Sequence, residues 1–526
     1  MKINKGLVRR VCMGLCLGAA LLWPQTMASE VFAAAELPQR LEAGAIGLPT
    51  TGCELTSVTE KRTKKGIQYT EVLASIHPMD ASAPDIHIEV NLPNDWNGRM
   101  VQFGGGGFNG TLVTADGAAA GADAAEPTLL EQGYATYGGD SGHTGAIWDA
   151  SFAANKEALH NFAHESLKKT HDAARTFIAA FYQRQPAYSY FIGGSNGGRE
   201  ALQAAQRYGR DYDGIVAFYP VLNWIPKGVI DNRNANVLLE DQGAGWLSAA
   251  DFQLIRQTYL DAADELDGLK DGLVRNYAAA QAKTPEVLAV LDTKLSPAKM
   301  KVLRTFLAPQ DFEYSFANGL YQMPGYALGE DLRDSMLNQF GTMPGKRDGE
   351  MALSSNGSMG WQSFGRSDVD MEHFDYRQYR EALQESSCWL DATNLDLNAF
   401  KSHGGKLILL HGTNDQLVTV KGSIQYYEGL QKRFGQQELD RFVRFYMVPG
   451  YGHGMGDNFT MGRNMIADID RWVTRGQAPE DIAVVDQNKV CYGRMQILMP
   501  YPYYAQYKGG DPQKAESFQR AKQEGI

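Results

Sequence analysis

The chain has 526 residues, 44% of them hydrophobic, with 50 basic and 61 acidic side chains and a formal net charge of −11. That is enough apolar material for one large core, or for a core and a sizeable second domain. The negative balance argues against nucleic acid or anionic membrane as the main partner and leaves a small molecule open.

The chain opens on Lys2, Lys5, Arg9 and Arg10, then an apolar run over 11–23, then Ala33-Ala34-Ala35. This order reads as an export signal over residues 1–35. The run is too short to span a bilayer, so the protein is expected to be secreted or periplasmic, with no stable membrane insertion once the signal is removed. Cys12 and Cys16 would leave with it, and Cys53, Cys388 and Cys491 would remain. An odd number this small builds no disulfide framework.

Beyond the signal, apolar β-rich runs alternate with helical patterns, which predicts an α/β sheet fold. Strands are expected over 86–90, 100–103, 134–137, 189–192, 214–218, 406–410 and 442–447. Helices are expected over 159–181, 198–208 and 461–474. Between about 223 and 395 the alternation is lost and Asp, Gly, Met and aromatics rise. The division that follows is a main α/β domain from 36–222 and 396–526, with 223–395 inserted as a lid.

Four successive glycines, Gly104 to Gly107, follow the strand over 100–103. Bare backbone there lets amides approach a substrate oxygen closely, and Gly106 is chosen as one oxyanion donor. The next strand-to-helix junction carries Gly193-Gly194-Ser195-Asn196-Gly197. This is a nucleophile-elbow pattern: small neighbours tolerate the strained serine, and the amide of Asn196 supplies the second donor. A serine nucleophile needs a base and an orienting acid, in the chain order Ser, Asp, His. Asp415 follows the strand over 406–410 and His453 follows the strand over 442–447, both at strand ends where open α/β sheets place their sites. Of ten histidines, only His453 combines a position after Asp415, a strand end and a flanking glycine loop. His411 and Val418, near the acid, are expected to line the pocket.

Within the insert, Asp264, Asp267 and Asp271 recur at spacings of three and four around two Asp-Gly turns. Hard oxygen ligands on a tight loop suit Ca²⁺ in a structural role, without EF-hand spacing.

These segments together resemble one family, the tannases and feruloyl esterases, which also includes hydrolases of aromatic terephthalate monoesters. The likeness rests on the 104–110 loop, Gly139-Asp140-Ser141-Gly142-His143, the 193–199 elbow, the 264–273 loop, 411–415 and 449–453, and spans about 53–518. It implies an α/β-hydrolase fold, Ser195, Asp415 and His453 as the triad, and calcium held by Asp264, Asp267 and Asp271 with the carbonyls of Leu269 and Leu273. It also implies a small-molecule ester of an aromatic acid, galloyl or hydroxycinnamoyl, as substrate. Trp361 and Phe364 in the lid are candidates to clamp its ring. The family usually carries a cysteine before the serine and another after the histidine, joined as a disulfide. Here Gly194 and Gly454 stand at those positions, so both partners are missing together. Two other classes stay open: a serine peptidase on the same fold, and a catalytically silent phenol- or carbohydrate-binding protein.

Overall fold

The computed structural model describes residues 37–329, 332 and 339–524. The export-signal reading falls on residues 1–35, outside the described residues.

Along the chain, β1 (Arg40–Leu41), β2 (Gly52–Arg62), β3 (Gln68–His77) and β4 (Ile86–Pro93) are followed by β5 (Arg99–Phe103), β6 (Ala135–Gly139), β7 (Tyr188–Gly194) and β8 (Gly214–Phe218). A hairpin of β9 (Gln310–Phe316) and β10 (Leu320–Met323) forms a separate small sheet. The chain then returns through β11 (Lys406–Gly412) and β12 (Val443–Val448). The main sheet has ten strands in the order β1-β2-β3-β4-β6-β5-β7-β8-β11-β12. The six strands from β6 to β12 in that order pair in parallel, and β1 to β4 extend the sheet antiparallel. A large, mostly parallel sheet covered by helices makes this an α/β fold.

Parallel strands are buried on both faces, so they are mostly apolar rather than alternating. β8 and β12 are buried along their whole lengths. Successive side chains then feed opposite cores. Phe191, Ile215, Ala217, Leu407 and Leu409 pack on one face; Tyr190, Ile192, Val216, Ile408 and Leu410 pack on the other. All seven expected strands are present to within a few residues. β2 escaped the sequence reading because beyond Cys53 it is mostly polar and half or fully exposed, with only Leu55 and Val58 apolar.

The expected helix over 159–181 is Lys156–His160 running through a π-helical turn, Asn161–Glu165, into Ser166–Tyr182. The expected helix over 461–474 starts later than its apolar pattern suggests. Met461–Gly462 pairs as a strand with Val485 and Asp486. The Asn464 side chain then accepts the Ala467 amide at 3.1 Å and caps the helix Met465–Arg475. A good cap overrides a continuing apolar period.

β8 and β11 are adjacent in the sheet, yet residues 219–405 lie between them, and the described residues of that stretch add no strand to it. This insert has its own core, in which Phe306 stacks on Tyr326 with ring centres 4.2 Å apart. Cys53, Cys388 and Cys491 are all unpaired thiols. Among the described residues no helix is long and apolar enough to cross a membrane.

Three buried histidines make the fold sensitive to acid. Burial holds His143 down to about 4, and burial aided by nearby cationic side chains holds His164 and His171 down to about 3. An unfolded chain takes up these protons near pH 6.5. The unfolded state therefore binds more protons as pH falls from about 6.5 toward 3, and stability falls across that window. Thermal melts at stepped pH should show this decline, and His171→Gln should show a shallower one; equal slopes in the two proteins would contradict the assignment.

Candidate active site

Ser195 sits between β7 and the helix Asn196–Arg207, at φ 62° and ψ −124°. A non-glycine residue held there stores strain of about 1–3 kcal/mol, which its surroundings must overcome. Its carbonyl accepts the amides of Arg199 at 3.1 Å and Val221 at 3.3 Å. The elbow closes because its flanks carry no side chains. A Cβ on Gly193 would run into the carbonyl of Gly197, and one on Gly197 would stand 2.6 Å from Gly105 O.

Asp415 lies on the turn after β11, and His453 on the loop after β12. Ser195 Oγ is 2.7 Å from His453 Nε2, and His453 Nδ1 is 2.8 Å from Asp415 Oδ2. Asp415 Oδ1 accepts the amides of Leu417 at 3.0 Å and Val418 at 2.8 Å. Burial by itself would raise the Asp415 carboxyl. The His453 charge and hydrogen bonds from His411 and His453 outweigh it and hold the group well below the usual carboxylate range. The three residues read from distant segments of the sequence thus form one continuous relay.

The two residues expected to donate to an oxyanion, Gly106 and Asn196, are also brought to one cavity. Gly104 donates its amide to Ile192 O and Gly105 donates to Glu200 Oε2, both at 2.9 Å. The amides of Gly106 and Asn196 donate to no other group among the described residues, and both residues line the cavity that holds Ser195 and His453. Glu200 was not singled out from the sequence. It is buried, accepts Asn109 Nδ2 at 2.5 Å as well as the Gly105 amide, and so fixes the glycine loop against the elbow helix. Its place one turn into that helix, five residues past Ser195, is the only signal the sequence carried.

The cavity has a volume of about 340 Å³. Trp148, Trp224, Ile147, Leu417 and Val418 supply apolar walls, and Lys227 and Glu350 bring charge into it. Of the four residues expected to contact substrate, only Val418 lines this space. His411 is fully buried behind it, with Nε2 bonded to Val418 O at 2.9 Å and Nδ1 to Ser423 Oγ at 2.8 Å. It therefore orders the acid's turn. Phe364 packs with Phe374 and Tyr379 in the insert, and Trp361 borders a different surface groove. Aromatic side chains were the wrong guide because the insert uses most of them to hold itself together.

The acidic loop is folded around a side chain of its own. Arg275 donates from one guanidinium nitrogen to Asp267 Oδ2 at 3.3 Å, Asp271 Oδ1 at 3.1 Å and Leu273 O at 3.2 Å, and from the other to Asp271 Oδ2 at 2.8 Å. Asp264 Oδ1 accepts the Gly272 amide at 2.9 Å, and Asp267 Oδ1 accepts that of Leu269 at 3.0 Å. Among the described residues no three acidic, histidine or cysteine side chains are placed to share one ion. As arranged, this oxygen set does not fit a calcium ion.

The place beside Gly194 is taken by Tyr219. A Cβ on Gly194 would stand 2.5 Å from Tyr219 Oη, and the Tyr219 ring lies 4.7 Å from the His453 ring. Tyr219 is buried, is held at φ 33°, and lines the same cavity. A side chain at 194 thus competes with the ring that packs on the imidazole. Gly194→Ala should displace Tyr219 and lower kcat by about 10²-fold, the scale of a misplacement near 1 Å at a catalytic group. Steady-state kinetics on any good ester substrate would check this, and unaltered kcat would refute the packing argument.

The chain matches the family model described as "Tannase and feruloyl esterase" over residues 70–521. It is 34% identical to an uncharacterized esterase from Agrobacterium fabrum, covering 95% of this chain and 94% of that one. It is 29% identical to the mono(2-hydroxyethyl) terephthalate hydrolase of Piscinibacter sakaiensis, over 93% and 87% of the two chains. The crystal structure of feruloyl esterase B from Aspergillus oryzae superposes with a TM-score of 0.76 at 20% identity, covering 90% of this chain and 98% of that one, and so shares its fold. With a match across nearly all of the described chain, this protein belongs to the tannase and feruloyl esterase family of carboxylic ester hydrolases.

Proposed function

We propose that the protein hydrolyses esters of aromatic, phenolic acids through an acyl-enzyme formed on Ser195. The observation that carries this reading is the unbroken Asp415–His453–Ser195 relay ending in a cavity walled by two tryptophans. Flat apolar walls suit an aromatic ring, which prefers edge-to-face and offset contacts with other rings. Relatives whose names specify feruloyl or terephthalate esters act on aromatic acyl groups, which supports the same class here.

In the proposed reaction His453 Nε2 takes the Ser195 proton as Oγ attacks the ester carbonyl. Asp415, kept anionic, holds the imidazole in its productive tautomer and stabilises the cation that forms. The Gly106 and Asn196 amides face the developing oxyanion, each such donor contributing about 3–4 kcal/mol. The C–O bond to the alcohol breaks as His453 returns the proton to the leaving oxygen. Water then attacks the acyl-enzyme by the same relay, releases the acid and restores Ser195. The insert acts as the lid, since it contributes Trp224 and the polar wall of the cavity.

Purified protein and two variants, Ser195→Ala and Asp415→Asn, assayed on methyl gallate, methyl ferulate and a peptide amide test this. Wild type should turn over the esters. Asp415→Asn should lose about 10⁴-fold in kcat and Ser195→Ala at least as much. Ester turnover surviving in Ser195→Ala would refute the nucleophile, and cleavage of the amide alone would favour the peptidase.

A further inference from the structure

Arg275 stands two residues past Leu273 at the end of the acidic loop, and its side chain is 3% exposed. Its guanidinium takes both oxygens of Asp271, one oxygen of Asp267 and the Leu273 carbonyl. Its own backbone amide donates to Asp267 Oδ2 at 2.9 Å. These are three of the five groups expected to hold calcium. The Asp267 side chain is wholly buried and that of Asp271 is 25% exposed, so the pair has too little water to carry its charge alone. Lys270 does not serve it, because that ammonium faces Glu265 on the exposed side of the loop, 3.7 Å away. A planar guanidinium can meet two carboxylates and a carbonyl together, and here it does.

The arginine is itself fixed. Its guanidinium carbon lies 5.4 Å from the centre of the Phe518 ring, and Phe518 shares a small core with Leu269, Ile497 and Tyr507. The C-terminal hairpin closes over the loop at two further points. Asn276 Nδ2 donates to Tyr504 Oη at 3.0 Å, and a Cβ on Gly268 would stand 2.8 Å from Tyr507 O. A calcium ion at the expected position needs Asp267, Asp271 and the Leu273 carbonyl released, which expels a buried guanidinium. Both cations on the same oxygens would repel each other at short range.

The loop also touches the segment that carries His453. Leu273 is fully buried, and a Cβ on Gly450, three residues before His453, would run into its side chain. Arg256, on the helix Ala249–Ala263 that leads into the loop, donates to Asn458 Oδ1 at 2.6 Å, five residues past His453. The catalytic histidine is thus flanked on both sides by contacts from this corner of the insert.

We propose that Arg275 takes the place of a metal ion in this chain. Its fixed charge closes the acidic loop, and the closed loop holds Leu273 against the His453 segment, so that neither folding nor turnover depends on calcium. Arg275 is in this sense a positioning residue, remote from the reacting atoms.

Elemental analysis of desalted wild type should find no calcium, and its melting point should be the same in EDTA and in excess calcium. Its turnover of p-nitrophenyl acetate should be equally indifferent; with this substrate and the melts, the outcome does not hinge on the aromatic esters proposed above. Arg275→Ser frees all five oxygen groups. In EDTA it should melt lower by roughly 5 °C or more, as loss of one partner of a buried ion pair does, and calcium should return most of that loss. Its kcat should fall roughly tenfold in EDTA with KM unchanged, and recover with calcium. Arg275→Lys keeps the charge without the fork, so it should melt between the two and gain nothing from calcium. Stoichiometric calcium in wild type, or a wild-type melting point that rises with it, overturns the replacement, and so does an Arg275→Ser variant that ignores calcium. A lowered melting point with kcat unchanged in that variant overturns the brace on His453 alone. If Arg275→Ser does not fold, the wild-type measurements and Arg275→Lys decide the matter.

Discussion

Two glycine backbones lie against each other at the centre of this protein with no side chain between them. Gly197 donates its amide to Gly105 O at 3.0 Å, and a Cβ on Gly104 would stand 2.7 Å from Gly197 Cα. This contact brings the glycine loop after β5 onto the elbow after β7. It puts the Gly106 and Asn196 amides on the cavity that holds the serine. Any side chain at either backbone would separate the Ser195 hydroxyl from the Gly106 and Asn196 amides. Glu200 then holds the arrangement from behind, because its carboxylate takes hydrogen bonds from both Gly105 and Asn109.

The same helix ties the sheet to the insert. Arg199 is fully buried and donates to Phe162 O, Ala163 O and Leu390 O, while its guanidinium lies 4.8 Å from the Trp224 ring centre. Trp224 begins the helix that carries Lys227, so one arginine links the Ser195 helix to the wall of the cavity. A buried guanidinium with its donors satisfied is rigid, since moving it leaves several carbonyls unpaired. Around the acid, His411 plays a comparable part: it bridges Ser423 and Val418 O, 3.3 Å from Asp415. Residues that never reach the cavity thus set the angles of those that do.

Charge is handled twice in the insert by the same means. At the acidic loop and at the Lys227 cluster, one buried cation faces two buried or half-buried carboxylates. In the loop the guanidinium's planar fork meets both aspartates and a carbonyl together. At the cavity the ammonium of Lys227 lies nearer to Asp231 than to Glu350, and Glu350 Oε2 has no hydrogen-bond partner among the described residues.

The sheet was legible wherever strands are buried on both faces, because β8, β11 and β12 are mostly apolar runs. The triad was legible because each member sits at the end of such a run, inside a glycine-rich turn that has few other uses. Local patterns therefore determined the fold class and the identities of Ser195, Asp415 and His453 as partners. Only tertiary structure decided which side chains of the insert face the cavity, since that depends on how helices far apart in sequence cross. It moved Trp361 and Phe364 into packing, brought Lys227 beside Glu350 across more than a hundred residues, and turned two of three aspartates in a calcium-like spacing toward an arginine. Spacing states which groups are near along the chain, but only packing determines which cation or cavity they meet.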